Sequence, residues 1–474
     1  MRLSTYRIGE EMAPHTRMQL ETADIAQKAA ELMPGVLADL KTLVTIPSIA
    51  FPGYPEEPVR RMGEVTLQMF RDAGFRNARL MDVPTGYPPI YGEIAGPEGS
   101  PTVVLYAHYD VQPAPTEQGW TSDPWTATTT AEGRIFGRGA SDDKSGLVTH
   151  LGTLRVFDGQ PPCTVKLILE GMEETESNLE AFVEAHPELF ACDLFVICDM
   201  GNLRVGEPVF TTALRGDVAC VVTVRTLEHP LHSGVFGGAA PDAMMALARL
   251  LATLHDEDGD VVVDGVSSGT WAGENLHEDD FRSSADLLPG VRLTGTGPIG
   301  DRLWTRPSIN AIGIDMTSIA GSSNVLIPEA RAKVSMRIVP GSDPIQELDA
   351  LVRHLETHAP WGAQIDVQRT KEAPPFRCDT DGPGYAAARW AMETAFGTPV
   401  GEAGSGGSIP LLRTLQHAVP GAEFVLWGPE DVAGSRIHSS DESVDPTEIE
   451  RLIVTQALLL ERLGSQDPAR TSRA

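Results

Sequence analysis

The chain has 474 residues, of which 41% are hydrophobic and 22% charged, and carries a formal net charge of −29. The length suggests two domains and the composition an ordinary globular protein. So acidic a balance argues against nucleic acid and anionic membrane as partners, since both need a basic surface.

Cys163, Cys198 and Cys220 lie in apolar strand-like runs and read as buried thiols of a reducing compartment. No Cys-x-x-Cys is present, so a thiolate zinc site is not expected. The segment Met1–Arg7 lacks the apolar core of a secretory signal, and no apolar run approaches the ~20 residues of a membrane helix. A cytoplasmic location is the resulting expectation.

In chain order, residues 1–20 are polar and expected to be loose. Apolar residues from Ile25 to Leu40 recur at helical spacing, with a break or kink expected at Pro34. A second helix is predicted from Pro58 to Ala73, stopped by Gly74. Strands follow at 78–83, 90–95 and 102–106, a helix from Ser145 to Phe157, a strand at 164–169, a helix near 179–185 and a strand at 193–198. Such alternation predicts an α/β sheet covered on both faces. The pattern changes near Thr211. A strand at 218–226, a helix from Pro241 to Leu254, a strand at 331–339, a helix at 344–358 and a strand at 364–369 resemble a β-α-β-β-α-β, ferredoxin-like unit. Residues 256–305 show no clear period and read as an insertion. A helix at 385–396, a strand at 423–426 and a helix at 447–463 resume the α/β style. The expected organisation is an α/β domain in two parts, 1–212 and 381–474, interrupted by a unit at 213–380. The tail from Ser465 is polar.

Polar residues recur at strand ends: His108 and Asp110, Asp142 and Asp143, Glu173 and Glu174, and Asp199, with His438 further downstream. Ligands gather at the carboxyl edge of such sheets. His108 and Asp110, two apart in a strand, point to one face, so Asp110 can orient the imidazole. Neighbouring side chains point apart, so one of Asp142 and Asp143 faces a shared site and the other suits a helix N-terminus. Two histidines with several carboxylates form a mixed N/O donor set, suited to Zn²⁺, Mn²⁺ or Co²⁺. A pair of cations needs a bridging carboxylate, and one of Glu173 and Glu174 stays free as a general base.

The stretches Tyr106–Pro113, Gly137–Lys144, Leu169–Glu174, Leu231–Gly238, Met336–Pro340 and Gly406–Pro410 resemble the M20 family of metallopeptidases, and most closely its dipeptidase, carnosinase-like branch. The resemblance implies a phosphorylase/aminopeptidase-like α/β catalytic domain with a mixed sheet. It also implies an inserted α+β ferredoxin-like lid and dimerisation domain. It implies two divalent metal ions, zinc foremost with manganese or cobalt as alternatives. His108 and Asp199 would hold one ion, Glu174 and His438 the other, and Asp142 both. Asp110 would orient His108, and Glu173 would be the base. A cis peptide is implied between Asp142 and Asp143. His232 would reach across a homodimer to the carbonyl oxygen in the other subunit's site. Arg337, with Gly407 and Ser408, would take the substrate's carboxylate. The implied substrate is a dipeptide or short peptide. The rivals are an N-acyl or N-carbamoyl amino acid amidohydrolase on the same site and, more distantly, a binding protein with a decayed site. A serine nucleophile elbow is absent around Ser405 and Ser408. Gly404-Ser405 stand where relatives often carry Arg-Glu, so the contacts of this segment differ.

Overall fold

The computed structural model describes residues 20–115, 119–175, 177–407 and 409–465. The loose start expected at 1–19, the tail beyond Ser465 and Ser408 lie outside the described residues.

A six-stranded mixed sheet carries the site. Its order is Arg79–Leu80, Ile90–Ile94, Thr164–Glu170, Thr102–His108, Leu194–Ile197, Glu423–Leu426. The last four strands run parallel and the first two are antiparallel. Alternation along the Thr102–His108 strand sends Val103, Leu105 and Ala107 into one core, against helices Thr22–Val44, Lys144–Val156 and Pro446–Gly464. Val104 and Tyr106 face the other core, against Leu179–Ala185 and Pro410–Ala418. A strand buried on both faces must be apolar at every position, which is how Val103–Ala107 reads. The parallel strands therefore end on one edge, which brings His108, Glu173, Glu174 and Asp199 into one neighbourhood.

The inserted unit is a four-stranded antiparallel sheet in the order Ser308–Asp315, Glu329–Ile338, Gly216–Arg225, Gln364–Ala373. Helices Ala243–Ala252 and Pro344–Thr357 cover one face through Ala246, Leu250, Leu348 and Leu351. Val218, Cys220, Val222 and Val224 alternate into that core. The connectivity is the expected β-α-β-β-α-β.

Several expectations need correction. The first helix runs unbroken from Thr22 to Val44 through Pro34. Its buried Val36, Leu40 and Leu43 continue the apolar stripe beyond the proline, and that packing outweighs the missing N–H. Pro241 precedes the helix it was expected to open. Asp242 is the cap, accepting from the Met245 amide at 3.1 Å. Strands at Val209–Leu214, Ser308–Asp315 and Gly401–Ser405 were not anticipated. The Gly401–Ser405 strand is rich in glycine and has weak strand propensity. It is held by parallel pairing with Val209–Leu214.

Residues 256–305 are not a free excursion. Leu276, Ile299 and Trp304 form a core with Leu203, Val209 and Ala403. A Cβ at Gly404 would meet the Trp304 Cβ at 2.6 Å. That contact explains the departure at Gly404. The insertion's indole occupies the volume a side chain would need. Among the described residues no helix is long and apolar enough to cross a membrane.

Candidate metal centre

The centre is built on the Asp142 carboxylate. Its Oδ1 lies 2.9 Å from His108 Nε2 and its Oδ2 lies 3.0 Å from His438 Nε2. Asp199 Oδ1 is 3.5 Å from His108 Nε2, and Glu174 Oε2 is 3.2 Å from His438 Nε2. His108, Asp142 and Asp199 thus form one triad and Asp142, Glu174 and His438 a second, each with its donor atoms within 4.8 Å of one another.

Each candidate ligand is placed by local structure. His108 ends its strand, and its Nδ1 sits 3.1 Å from the Asp110 carbonyl and 3.4 Å from Asp110 Oδ1. Asp110 also accepts from the Glu173 and Glu174 amides, each at 3.1 Å, so it fixes the acidic turn as well as the imidazole. Asp143 turns away from its neighbour. It caps the Lys144–Val156 helix at the Gly146 amide and accepts from the His108 amide, both at 3.1 Å. The Asp142–Asp143 peptide is cis. His438 has φ of 60°, a left-handed setting that a non-glycine residue adopts when its surroundings over-determine it. Its side chain is half-exposed, so the second triad opens to solvent.

Glu442 carried no signal in the sequence beyond its place four residues after His438. It is fully buried. It accepts from the amides of Gly139, Ser141 and Asp142 at 2.9–3.1 Å and from Arg138 Nη1 at 2.6 Å. Arg138 in turn donates to the Ser439 carbonyl at 3.0 Å. This buried pair ties the Asp142 loop to the His438 loop, which are some 300 residues apart. Gln112, also without an assigned role, donates to Glu174 Oε2 at 2.7 Å.

The charges are unbalanced. Burial works against protonation of His108, but Asp199, Asp110 and Asp142 prevail and raise it well above the usual imidazole range. Burial likewise opposes a charged His438, and hydrogen bonds to Asp142 and Glu174 push it up to about 11. Burial would raise Asp142, but both imidazoles hold it well below the usual carboxylate range. Burial and then Asp142 push Glu174 up to about 7. Burial, with Asp199 next, raises Glu173 well above normal. Protons therefore gather where cations would neutralise the same carboxylates.

The residues fit such cations. The donors are nitrogen and carboxylate oxygen, and Glu174 Oε1 is buried without a hydrogen-bond partner. Burial, Asp142 and Asp199 also raise Glu430, and cations at the two triads would offset those two carboxylates.

A cleft of about 590 Å³ opens over the triads, lined also by Glu173, Arg337, Lys371, Gly407 and Glu430. Arg337 lies near the end of its strand, as expected. Ser408 lies outside the described residues. His232 does not line this cleft among the described residues. It sits exposed, its Nδ1 accepting from the Gly234 amide at 3.0 Å. A single chain therefore does not bring His232 to the metal residues. A larger cavity of about 780 Å³ lies along the 255–310 stretch and contains none of the clustered ligands. Chemistry, not size, identifies the site.

Comparison with known proteins agrees with this architecture. Residues 104–462 match the model of peptidase family M20/M25/M40. A cysteinylglycine-S-conjugate dipeptidase from Corynebacterium striatum is 39% identical over 373 residues, covering 77% of this chain and 82% of the relative. The solved structure of human carnosine dipeptidase 1 superposes with a TM-score of 0.78 at 26% identity, covering 95% of this chain and 100% of that one. The dipeptidase Dug1p from Saccharomyces cerevisiae does so with a TM-score of 0.79 at 22% identity, over 95% and 100% of the two chains.

Proposed function

We propose, from the premise that the chain belongs to peptidase family M20/M25/M40, that this metallopeptidase hydrolyses the amide bond of dipeptides or short peptides. One observation carries the reading: the two oxygens of Asp142 are divided between two histidine–carboxylate triads. The dipeptidase activity named for the Corynebacterium striatum relative supports the substrate class.

Two divalent ions, held by His108 and Asp199 on one side, Glu174 and His438 on the other, and Asp142 between, would supply Lewis acidity and a water of lowered pKa. Glu173 is the general base. It takes a proton from the water that attacks the carbonyl carbon. As the C–N bond breaks, it returns that proton to the departing amine nitrogen. Burial holds its pKa above the usual carboxylate range, which helps it keep the captured proton until the amine leaves. Asp110 keeps Glu173 in place through the Glu173 amide. The Arg337 guanidinium, with the Gly407 backbone, receives the substrate's terminal carboxylate, for which its planar fork is matched. The five free thiols support a cytoplasmic setting.

The test is a dipeptide panel run beside N-acyl amino acids, after stripping the protein with a chelator and re-adding Zn²⁺, Mn²⁺ or Co²⁺ singly. Dipeptide hydrolysis is expected to vanish on stripping and to return with at least one ion. Binding of the ions should weaken as pH falls, because protons on His108 and His438 compete for the same nitrogens. Activity confined to N-acyl amino acids would overturn the dipeptide reading.

We place the working unit as a homodimer through the inserted sheet. Its edge strand, Ser308–Asp315, leaves Ile312 and Ile314 59% and 46% exposed. An open apolar edge invites a second strand. The dimer would let His232 of the partner subunit donate to the carbonyl oxygen as charge develops there. His232→Ala is expected to lower kcat by roughly 10²–10³-fold, as for loss of an oxyanion donor, with metal content unchanged. A fully active monomer would refute the shared site.

A further inference from the structure

We infer that Glu430 is a specificity-determining residue that binds the protonated α-amino group of the substrate, a role that rests on the dipeptidase reading above. The acidic side chains around the cleft are otherwise accounted for. Asp142, Asp199 and Glu174 face the two histidines. Asp431 pairs with Arg134 at 2.8 Å. Two carboxylates that line the cleft, those of Glu173 and Glu430, have no side-chain hydrogen bond or ion pair with any described residue. Glu173 is accounted for as the base. Glu430 is left as an acceptor awaiting a donor.

Its position is built into the backbone. The Glu430–Asp431 strand pairs in parallel with Gly201–Asn202, setting Glu430 opposite Gly201, two residues after Asp199. A Cβ at Gly201 would meet the Glu430 Cβ at 2.5 Å, so a side chain at 201 would displace the glutamate. Glu430 is thereby held beside a ligand of the first triad while its carboxylate reaches the cleft. A zwitterionic dipeptide offers an ammonium and a carboxylate. The cleft offers an unpartnered carboxylate at Glu430 and a guanidinium at Arg337. An N-acylated substrate has no ammonium to give, and its acyl carbonyl oxygen would meet Glu430 as one acceptor against another.

The experiment uses the metal-loaded full chain and whichever dipeptide of a panel the wild type turns over fastest, together with its N-acetyl derivative. Wild type is expected to favour the free amine strongly. Glu430→Gln is expected to raise KM for the free dipeptide by roughly 10–100-fold, the worth of a hydrogen bond to a charged group. The fall in kcat should be smaller, and bound metal should stay at the wild-type level. The preference over the N-acetyl form should shrink by the same factor. An unchanged KM would overturn the assignment, as would metal lost in step with activity, which would make Glu430 a ligand. Should Glu430→Gln not fold, the wild-type comparison decides alone. Equal turnover of free and N-acetyl forms overturns the role of Glu430 only, whereas no turnover of any dipeptide overturns the dipeptidase reading and this one with it.

Discussion

Glu173→Ala is expected to lower kcat by roughly 10²–10⁴-fold, the usual worth of a positioned general base, while the protein retains its metal. The separation of the two effects follows from geometry. Glu173 belongs to neither triad, and it is its neighbour Glu174 whose oxygen stands among the candidate donors. The Glu173 amide, not its carboxylate, anchors the turn to Asp110, so truncating the side chain leaves Glu174 held through its own amide. Metal analysis beside steady-state kinetics checks this. Near-wild-type hydrolysis would remove Glu173 from the mechanism. A parallel loss of metal and activity would make it a ligand.

Asp142→Ala is expected to do the opposite and remove metal and turnover together. Deleting the carboxylate takes a donor from both triads at once. Metal affinity should therefore fall by more than the roughly 10–100-fold that a change to a ligand's supporting partner costs. The loop itself should survive. Glu442 holds residues 139–142 through backbone amides, and those bonds do not involve the Asp142 side chain. Equilibrium dialysis against Zn²⁺ or Mn²⁺, with circular dichroism to confirm the fold, checks both halves. One ion retained at full affinity would show that Asp142 serves a single site. The contrast with Glu442 is informative. Removing Glu442 would leave Arg138 as an unpaired buried charge, which costs about 3–5 kcal/mol, so a variant there would report on stability before it reported on chemistry.

Much of the central sheet was legible because its signals are local. The Thr102–His108 strand carries an apolar run at 103–107, the Thr164–Glu170 strand is apolar from Leu167 to Leu169 with Lys166 its one interior charge, and the helix after Asp142 is announced by its cap. The elements missed were those whose stability is borrowed. Gly401–Ser405 has the composition of a loop and becomes a strand only by pairing with Val209–Leu214. Helix Thr22–Val44 overrides Pro34 because its apolar face is buried on both sides of the proline. The insertion's Trp304 explains Gly404, yet no property of either residue alone links them.

By itself the sequence determined the kinds of donor available, two histidines and a run of carboxylates at strand ends, and with them the class of metal chemistry. Strand ends and side-chain types are written in a few consecutive residues, and parallel strands must share an edge. The tertiary structure alone decided that Asp142 divides its oxygens between His108 and a histidine 296 residues away. It alone decided that Glu442 clamps the loop between them, that Glu430 is left without a side-chain partner among the described residues, and that His232 stands apart from its own chain's cleft. Those outcomes depend on how distant segments pack, and a local period carries no record of which segments will meet.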